Sequence, residues 1–316
     1  MAQLTLLSTY VIKLKEKRKS DYLFLSRYNE SKEDFLDLFR SFLQYRKNNH
    51  YSKLDKQGIK KTLLFKETFS RDVDNRTLQG FLHSGLSGQR GQVVDDSTGD
   101  DLYVMEKNHA KILPTYFFMH VPENRRFGYL ILQRKSNYGI KELLVDSFND
   151  FLIKLGAPLL FEANNFLVSS VFEKMLSVGR VFEMSFIKNH IPDDIEDMYD
   201  KDSLNKKIPG KIKTIVTTKN GFPVKGLLKR LYFAEHKHGM VEIPQLNDRF
   251  DEVDFEMEYN GSKKTFHMKN VGKTTPDFNV TDQIEFIDDM PTYASLESQC
   301  HILLKDMRDY HESKIR

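Results

Sequence analysis

The stretch EVDFEMEYNGSKKTFHMK, residues 252–269, decides the fold class of this chain. Asn260-Gly261 at its centre is the pair preferred by the type I′ turn of a two-residue β-hairpin. Folding the chain there places Phe255 opposite Phe266 on one face and Glu258 opposite Lys263 on the other. An apolar face backed by a charge-complementary face is typical of paired antiparallel strands, so we predict antiparallel sheet.

The hairpin pattern recurs in the first half of the chain. Residues 114–121 and 127–133 are apolar and aromatic runs, joined by Pro122-Glu123-Asn124-Arg125-Arg126. This arrangement predicts a second hairpin. An opening hairpin is also expected, with strands at residues 4–14 and 22–28 on either side of a charged connection.

Helical spacing appears between these strand signals. We predict a helix capped by Ser31, a helix over residues 140–155 and a long terminal helix over residues 291–313. The apolar seam of the terminal helix comprises Leu296, Cys300, Leu303, Met307 and Tyr310.

The length of 316 residues is typical of two domains. We expect a boundary after residue 157, which gives an N-terminal α+β domain over 1–157 and a C-terminal α+β domain over 158–316. Residues 71–101 are rich in glycine and aspartate and are interpreted as a mobile loop of the first domain. The predicted fold class is α+β, with antiparallel sheets built from β-hairpins, packed helices and a long C-terminal helix.

Weaker signals organise the second half. Strands are expected at residues 180–187 and 211–217, and helices at residues 165–176 and 223–235.

Composition limits the classes of function. The 48 basic and 45 acidic residues leave a net charge of +3, which indicates no partner. A single cysteine, Cys300, excludes an internal disulfide and a zinc site of several thiolates. The chain shows neither an apolar run of transmembrane length nor a secretory signal, so we expect a cytoplasmic protein without membrane insertion.

Charge is nevertheless segregated along the chain. Between residues 206 and 238, nine basic residues stand against one acid. The nine are Lys206, Lys207, Lys211, Lys213, Lys219, Lys225, Lys229, Arg230 and Lys237. Such a segment creates a local positive field, and we interpret it as a surface for the phosphate backbone of a nucleic acid. The alternative is a solvated basic surface, or one that pairs with the acidic residues of 193–202.

No enzymatic motif is complete. Gly272-Lys273-Thr274-Thr275 lacks the first glycine of a P-loop, and Pro276 opposes the helix that should follow. An alternative interpretation is that the chain is a divergent metal-dependent nuclease or effector enzyme, with Asp251 and Asp254 in its site. We predict no catalytic residue, metal or cofactor, and favour a non-enzymatic protein.

The layout resembles the RexA family, the exclusion proteins of lambda-like phages. The likeness lies in Pro114-Thr115-Tyr116-Phe117-Phe118-Met119, in Phe127-Gly128-Tyr129-Leu130, and in a helix that ends near Asp150-Phe151-Leu152. The second half is similar in outline: a strand near Phe182-Glu183-Met184, a lysine-rich segment, a hairpin and a closing helix.

The resemblance implies a cytoplasmic, non-enzymatic, homodimeric DNA-binding protein that acts in phage exclusion, an antiviral defence, with a membrane partner. It carries no catalytic signature, so the nucleic-acid-binding residues given above rest on charge alone. Because the resembling family binds DNA, we expect DNA rather than RNA as the partner. A module that docks an acidic protein partner is the remaining alternative.

Overall fold

The structure is a computed structural model that describes residues 4–54, 58–66, 69–135, 139–166, 180–189, 210–222, 241–243, 248–259, 262–267 and 277–315. The chain divides into two compact units. Unit 1 combines Met1–Phe166 with Pro276–Arg316, and unit 2 is Leu167–Thr275.

The described strands are numbered in chain order. They are β1 (Thr5–Glu16), β2 (Tyr51–Leu54), β3 (Lys60–Leu64), β4 (Phe69–Asp72), β5 (Thr77–Ser87), β6 (Gly91–Val94), β7 (Asp101–Met105), β8 (Lys111–His120), β9 (Gly128–Lys135), β10 (Leu159–Asn165), β11 (Arg180–Lys188), β12 (Ile212–Phe222), β13 (Val241–Ile243), β14 (Asp248–Phe250), β15 (Glu252–Tyr259), β16 (Ser262–His267), β17 (Asp277–Asn279), β18 (Phe286–Ile287) and β19 (Met290–Pro291). The described α-helices are α1 (Phe35–Asn48), α2 (Lys141–Lys154) and α3 (Tyr293–Ile315).

Every described strand pairs with its neighbours in antiparallel orientation, as predicted. Together with the described α-helices, this gives a mixed α and β fold. In unit 1 the main sheet follows the order β10-β1-β9-β8-β5-β3-β2, with β17 also paired to β1 and β4 to β5. The predicted hairpin of residues 114–133 is confirmed as β8 and β9, where Phe118 pairs with Ile131.

One edge of this sheet is a strand made of two pieces. Asn165 of β10 pairs with Tyr10 of β1, and the Phe166 amide donates to the Thr9 carbonyl at 3.0 Å. Asp277 of β17 pairs with the next residue of β1, Ser8. Since β10 and β17 follow one another in register along β1, unit 2 is inserted within a strand of unit 1.

Helices α1 and α2 cover one face of the main sheet. Their apolar residues build an aromatic core, in which the Phe148 ring lies 5.0 Å from Phe42 and 4.9 Å from Phe161 of β10. The Phe39 ring reaches the sheet at Phe117 of β8, with ring centres 5.8 Å apart. The apolar spacing predicted for both helices is therefore the spacing that builds this core.

Helix α3 covers the opposite face. The Tyr293 ring lies 5.5 Å from Tyr116, and the His301 ring lies 5.1 Å from Phe118. The predicted seam is confirmed at four positions and Tyr310 has no described side chain. The buried members are Leu296, Cys300, Leu303 and Met307.

The predicted domain boundary differs from the division in the structure. Residues 158–166 and 277–315, which include the terminal helix, lie with the N-terminal unit. The physical reason is pairing and packing: β10 and β17 both bond to β1, and α3 packs on β8 and β9.

The mobile loop predicted for residues 71–101 is wrong. These residues contain half of β4, all of β5 and β6, and the first residue of β7. Strand β5 lies inside the main sheet between β3 and β8. Glycine suits position 80 because a Cβ added there would lie only 3.3 Å from the Phe117 ring.

Two predictions near the N-terminus are also wrong. Residues 22–28 form no strand, because β1 pairs with β9 and β10, and a single bridge joins Lys15 to Tyr22. Asp34 rather than Ser31 caps α1, since its carboxylate accepts the Leu36 amide at 2.8 Å.

Unit 2 contains the hairpin predicted around Asn260-Gly261. Strands β15 and β16 pair in the predicted register, with Phe255 opposite Phe266 and Glu258 opposite Lys263. The two phenylalanine rings stack at 4.9 Å. The sheet order is β12-β11-β15-β16, which confirms the strands predicted near residues 180–187 and 211–217. The predicted helix of residues 223–235, and residues 167–176 of the other, lie outside the described residues.

Candidate functional site

Three of the nine predicted phosphate-binding residues are described. Lys211, Lys213 and Lys219 are exposed, and the last two belong to β12, at one edge of the unit 2 sheet. Lys213 pairs with Ile187, which pairs in turn with Glu252, so a cation and a carboxylate share one face. The residues outside the described part of the chain are Lys206, Lys207, Lys225, Lys229, Arg230 and Lys237.

The acidic residues considered for a nuclease site have structural positions in the unit 2 sheet or beside it. The Asp251 carboxylate accepts the Asn189 amide at 2.7 Å. Asp254 and Glu256 occupy alternate positions of β15, as an outward charged face requires. In the ranges that the structure describes, no group of three or more His, Cys, Asp or Glu residues is arranged to hold a metal ion.

A different site lies in unit 1, where β5 begins, β8 ends and β9 begins. A cavity of about 310 Å³ opens there beneath the end of α3. We call it the arginine pocket. Its lining comprises Asp74, Asn75, Arg76, His120, Pro122, Glu123, Arg125, Phe127, Tyr129 and Arg308. Arginines outnumber carboxylates three to two in this lining.

Arg76 is fixed firmly at the pocket wall. Its Nε donates to the Val121 carbonyl at 2.7 Å, and its Nη2 donates to the Asp34 carboxylate at 2.7 Å. Its backbone has a φ of 52°, a conformation that costs a non-glycine residue about 1 to 3 kcal/mol. The two side-chain bonds hold this strained residue in place, so the guanidinium orientation is preorganised.

Arg125 and Arg308 are the exposed arginines of the pocket. Arg125 lies in the β8–β9 connection, whose backbone is anchored where the Arg125 carbonyl accepts the Leu25 amide at 3.0 Å. Arg308 comes from the last turns of α3. Within the described part of the chain neither guanidinium has a carboxylate at ion-pair distance, so both are available to an anionic ligand.

Aromatic rings and arginines also lie together around the β8–β9 connection. The Phe24 ring centre is 5.0 Å from the Arg27 guanidinium and 4.9 Å from that of Arg126. Phe127 and Tyr129 line the cavity itself, with ring centres 5.6 Å apart. Interleaved arginines and aromatic rings are the combination that holds phosphates and stacks on bases.

His120 forms the floor of the pocket and is 7% exposed. Its ring stacks on Tyr129, with ring centres 6.1 Å apart and an angle of 10° between the planes. Burial lowers the pKa of His120 to about 4, and the charges of Arg308 and Arg76 act in the same direction. The imidazole is therefore neutral at physiological pH.

Reasoning from the sequence missed the arginine pocket. Arg125 and Arg126 were visible as the charged connection of an aromatic hairpin. Arg76 and Arg308 lie far from it in the chain, and nothing in their local sequence distinguishes them from ordinary surface residues. The pocket arises from tertiary structure, because it needs β5, β8, β9 and α3 together.

Comparison with known proteins leaves the geometry as the guide to function. No protein-family model matches the chain, and no curated protein matches its sequence. Among the described residues, no helix combines the length and the apolar composition that a membrane crossing requires.

Proposed function

We propose that this protein binds single-stranded nucleic acid without cleaving it, and that the arginine pocket receives a nucleotide. The observation that carries the proposal is the pair Arg125 and Arg308, two exposed guanidinium groups that flank a cavity bordered by aromatic rings. A volume of about 310 Å³ suits one nucleotide, since small-ligand sites begin at about 300 Å³.

Three lysines in or next to β12 are a second part of the same proposal. Lys211, Lys213 and Lys219 are exposed at a sheet edge, which suits contact with a phosphate backbone. Homodimer formation and a role in phage exclusion remain predictions that rest on the family resemblance. A cytoplasmic location remains a prediction that rests on composition as well.

A salt titration tests the proposal. We expect fluorescence anisotropy with a labelled single-stranded oligonucleotide to show binding that weakens steeply as salt rises. The double variant R125E/R308E should bind at least about tenfold more weakly and show a salt slope smaller by roughly 1 to 2.

A charge reversal elsewhere is the matched control. Arg40 is an exposed arginine of α1, on the opposite side of the main sheet. R40E reverses one charge, as R125E and R308E each do singly, and should therefore bind nearly as the parent does. Weakening by R40E equal to that of either single variant would show a general effect of net charge, and an unaffected R125E/R308E would refute the site.

A further inference from the structure

His120 can only accept a hydrogen bond from a ligand. Its Nδ1 lies 3.0 Å from the Asn75 carbonyl oxygen, which has no hydrogen to give, so Nδ1 carries the ring proton. In the neutral ring Nε2 is then an acceptor. No described residue donates to Nε2. The side chain is largely buried, but Nε2 keeps some exposure to the pocket.

The low basicity of His120 supports this requirement. Burial and the nearby arginines lower its pKa to about 4, so in the unliganded pocket the ring is neutral and Nε2 is an acceptor. A ligand that fills the pocket must satisfy Nε2 with a donor of its own, because a buried acceptor without a partner costs about 1 to 3 kcal/mol.

The arginines and His120 therefore require different groups of the ligand. Arg76, Arg125 and Arg308 favour a phosphate, which at neutral pH and within a strand offers oxygens that only accept. The donor must come from the sugar or the base. A ribose 2′-hydroxyl is a donor that every nucleotide of RNA carries and no nucleotide of DNA carries.

We propose that the arginine pocket is a ribonucleotide site in which a ribose 2′-hydroxyl donates to His120 Nε2. The inference rests on the proposed function and names its ligand class: single-stranded RNA, in place of the DNA that the family resemblance implies. The arginines hold the phosphate, the partly exposed Phe127 ring supplies apolar surface for the base, and His120 accepts the hydrogen bond of the sugar.

Three oligouridines that share one base isolate the 2′-position. The full-length protein is titrated with 5′-phosphorylated oligouridine, its 2′-deoxy form and its 2′-O-methyl form. The methylated form keeps a ribo-like sugar but has lost the donor. We expect the ribo form to bind about tenfold more tightly than the deoxy form, and the 2′-O-methyl form to match the deoxy form.

The H120F variant tests the acceptor itself. Phenylalanine keeps a ring beside Tyr129 and has no acceptor nitrogen, so the ribo and deoxy forms should bind alike. Thermal melting establishes that the variant is folded. Should it fail to fold, the comparison of the three oligouridines on the unaltered protein still decides the inference.

The outcomes separate this inference from the proposed function. Equal binding of the ribo and deoxy forms would overturn ribose recognition while leaving nucleic-acid binding in place. Tight binding of the 2′-O-methyl form would also overturn it, since a methyl ether cannot donate. Absence of binding to all three would overturn the proposed function and the inference together.

Discussion

Arg46 shows how a single buried cation fixes two helices. It is 1% exposed and donates to the Asp150 carboxylate at 2.8 Å and to the Ser147 carbonyl at 2.7 Å. Lys154 contacts the same carboxylate at 3.1 Å but is about half exposed. We expect R46M to lower the free energy of unfolding by about 2 to 3 kcal/mol, because its buried hydrogen bonds are lost.

The lysine supplies the control for Arg46. K154M removes an exposed cation from the same carboxylate and should cost less than about 1 kcal/mol. Urea denaturation of both variants measures the difference. Equal costs would mean that burial of the guanidinium contributes nothing to stability.

His120 gives the stability of unit 1 a pH dependence of known sign. Its pKa is about 4 in the folded chain and about 6.5 when unfolded, so the unfolded state binds the proton more readily. Stability should therefore fall as pH decreases through the window from about 6.5 to 4. Thermal melting of H120F should show a flatter profile in this window than the parent, and parallel profiles would contradict the assignment.

At the scale of elements, the approach of β5 to β8 depends on Gly85. A Cβ at this position would lie 2.8 Å from the Lys111 carbonyl carbon and 2.9 Å from Ile112 Cδ1. We expect G85A to destabilise unit 1 by about 3 kcal/mol, because backbone rather than a flexible side chain must move.

Gly91 provides the matched substitution for Gly85. It lies in β6 with nothing within 4 Å of its Cβ position and without a positive φ. G91A should be neutral or slightly stabilising, by up to about 1 kcal/mol. Denaturation midpoints of the two alanine variants test the argument, which fails if G85A melts with the parent.

Elements with local signals were predictable from sequence, and β5 was not. The register of β15 and β16 follows from one turn and the alternation around Phe255 and Phe266. In β5, Gly80 and Gly85 resemble loop residues until the Phe117 ring and the Lys111 backbone of the neighbouring strand are in place. Likewise Ser31 and Asp34 are both good caps, and contacts of the assembled unit favour Asp34: its carboxylate also bonds Arg76.

The candidate site was less predictable than the fold for a related reason. Charge counting finds contiguous basic segments such as residues 206–238. It does not find Arg76, Arg125 and Arg308, which come from three separate elements. Nor does it reveal that His120 is neutral, since that depends on burial and on the Asn75 carbonyl.

At the scale of the whole molecule, the inserted position of unit 2 predicts that unit 1 folds alone. Phe166 faces Thr9 and Asp277 faces Ser8, so removing residues 167–276 and joining Phe166 to Asp277 restores one continuous strand. We expect this shortened chain to melt cooperatively, within about 4 °C of the unit 1 transition in the intact protein.

Truncation of the C-terminal segment should instead prevent unit 1 from folding. Removing residues 277–316 deletes β17 and α3 and uncovers the sheet face around Tyr116 and Phe118. That chain should aggregate or fail to melt cooperatively in circular dichroism. A truncated chain that melts like the shortened one would show that α3 is dispensable.

The split edge strand also means that unit 1 is synthesised in two parts separated in time. Strands β1 to β10 leave the ribosome first, but β17 and α3 follow only after all of unit 2 has been translated. At about 5 to 20 residues per second, the delay before α3 is complete is on the order of ten seconds. During that interval the sheet face around Phe118 faces water or a chaperone, so the nascent chain is most prone to aggregation before its last helix arrives.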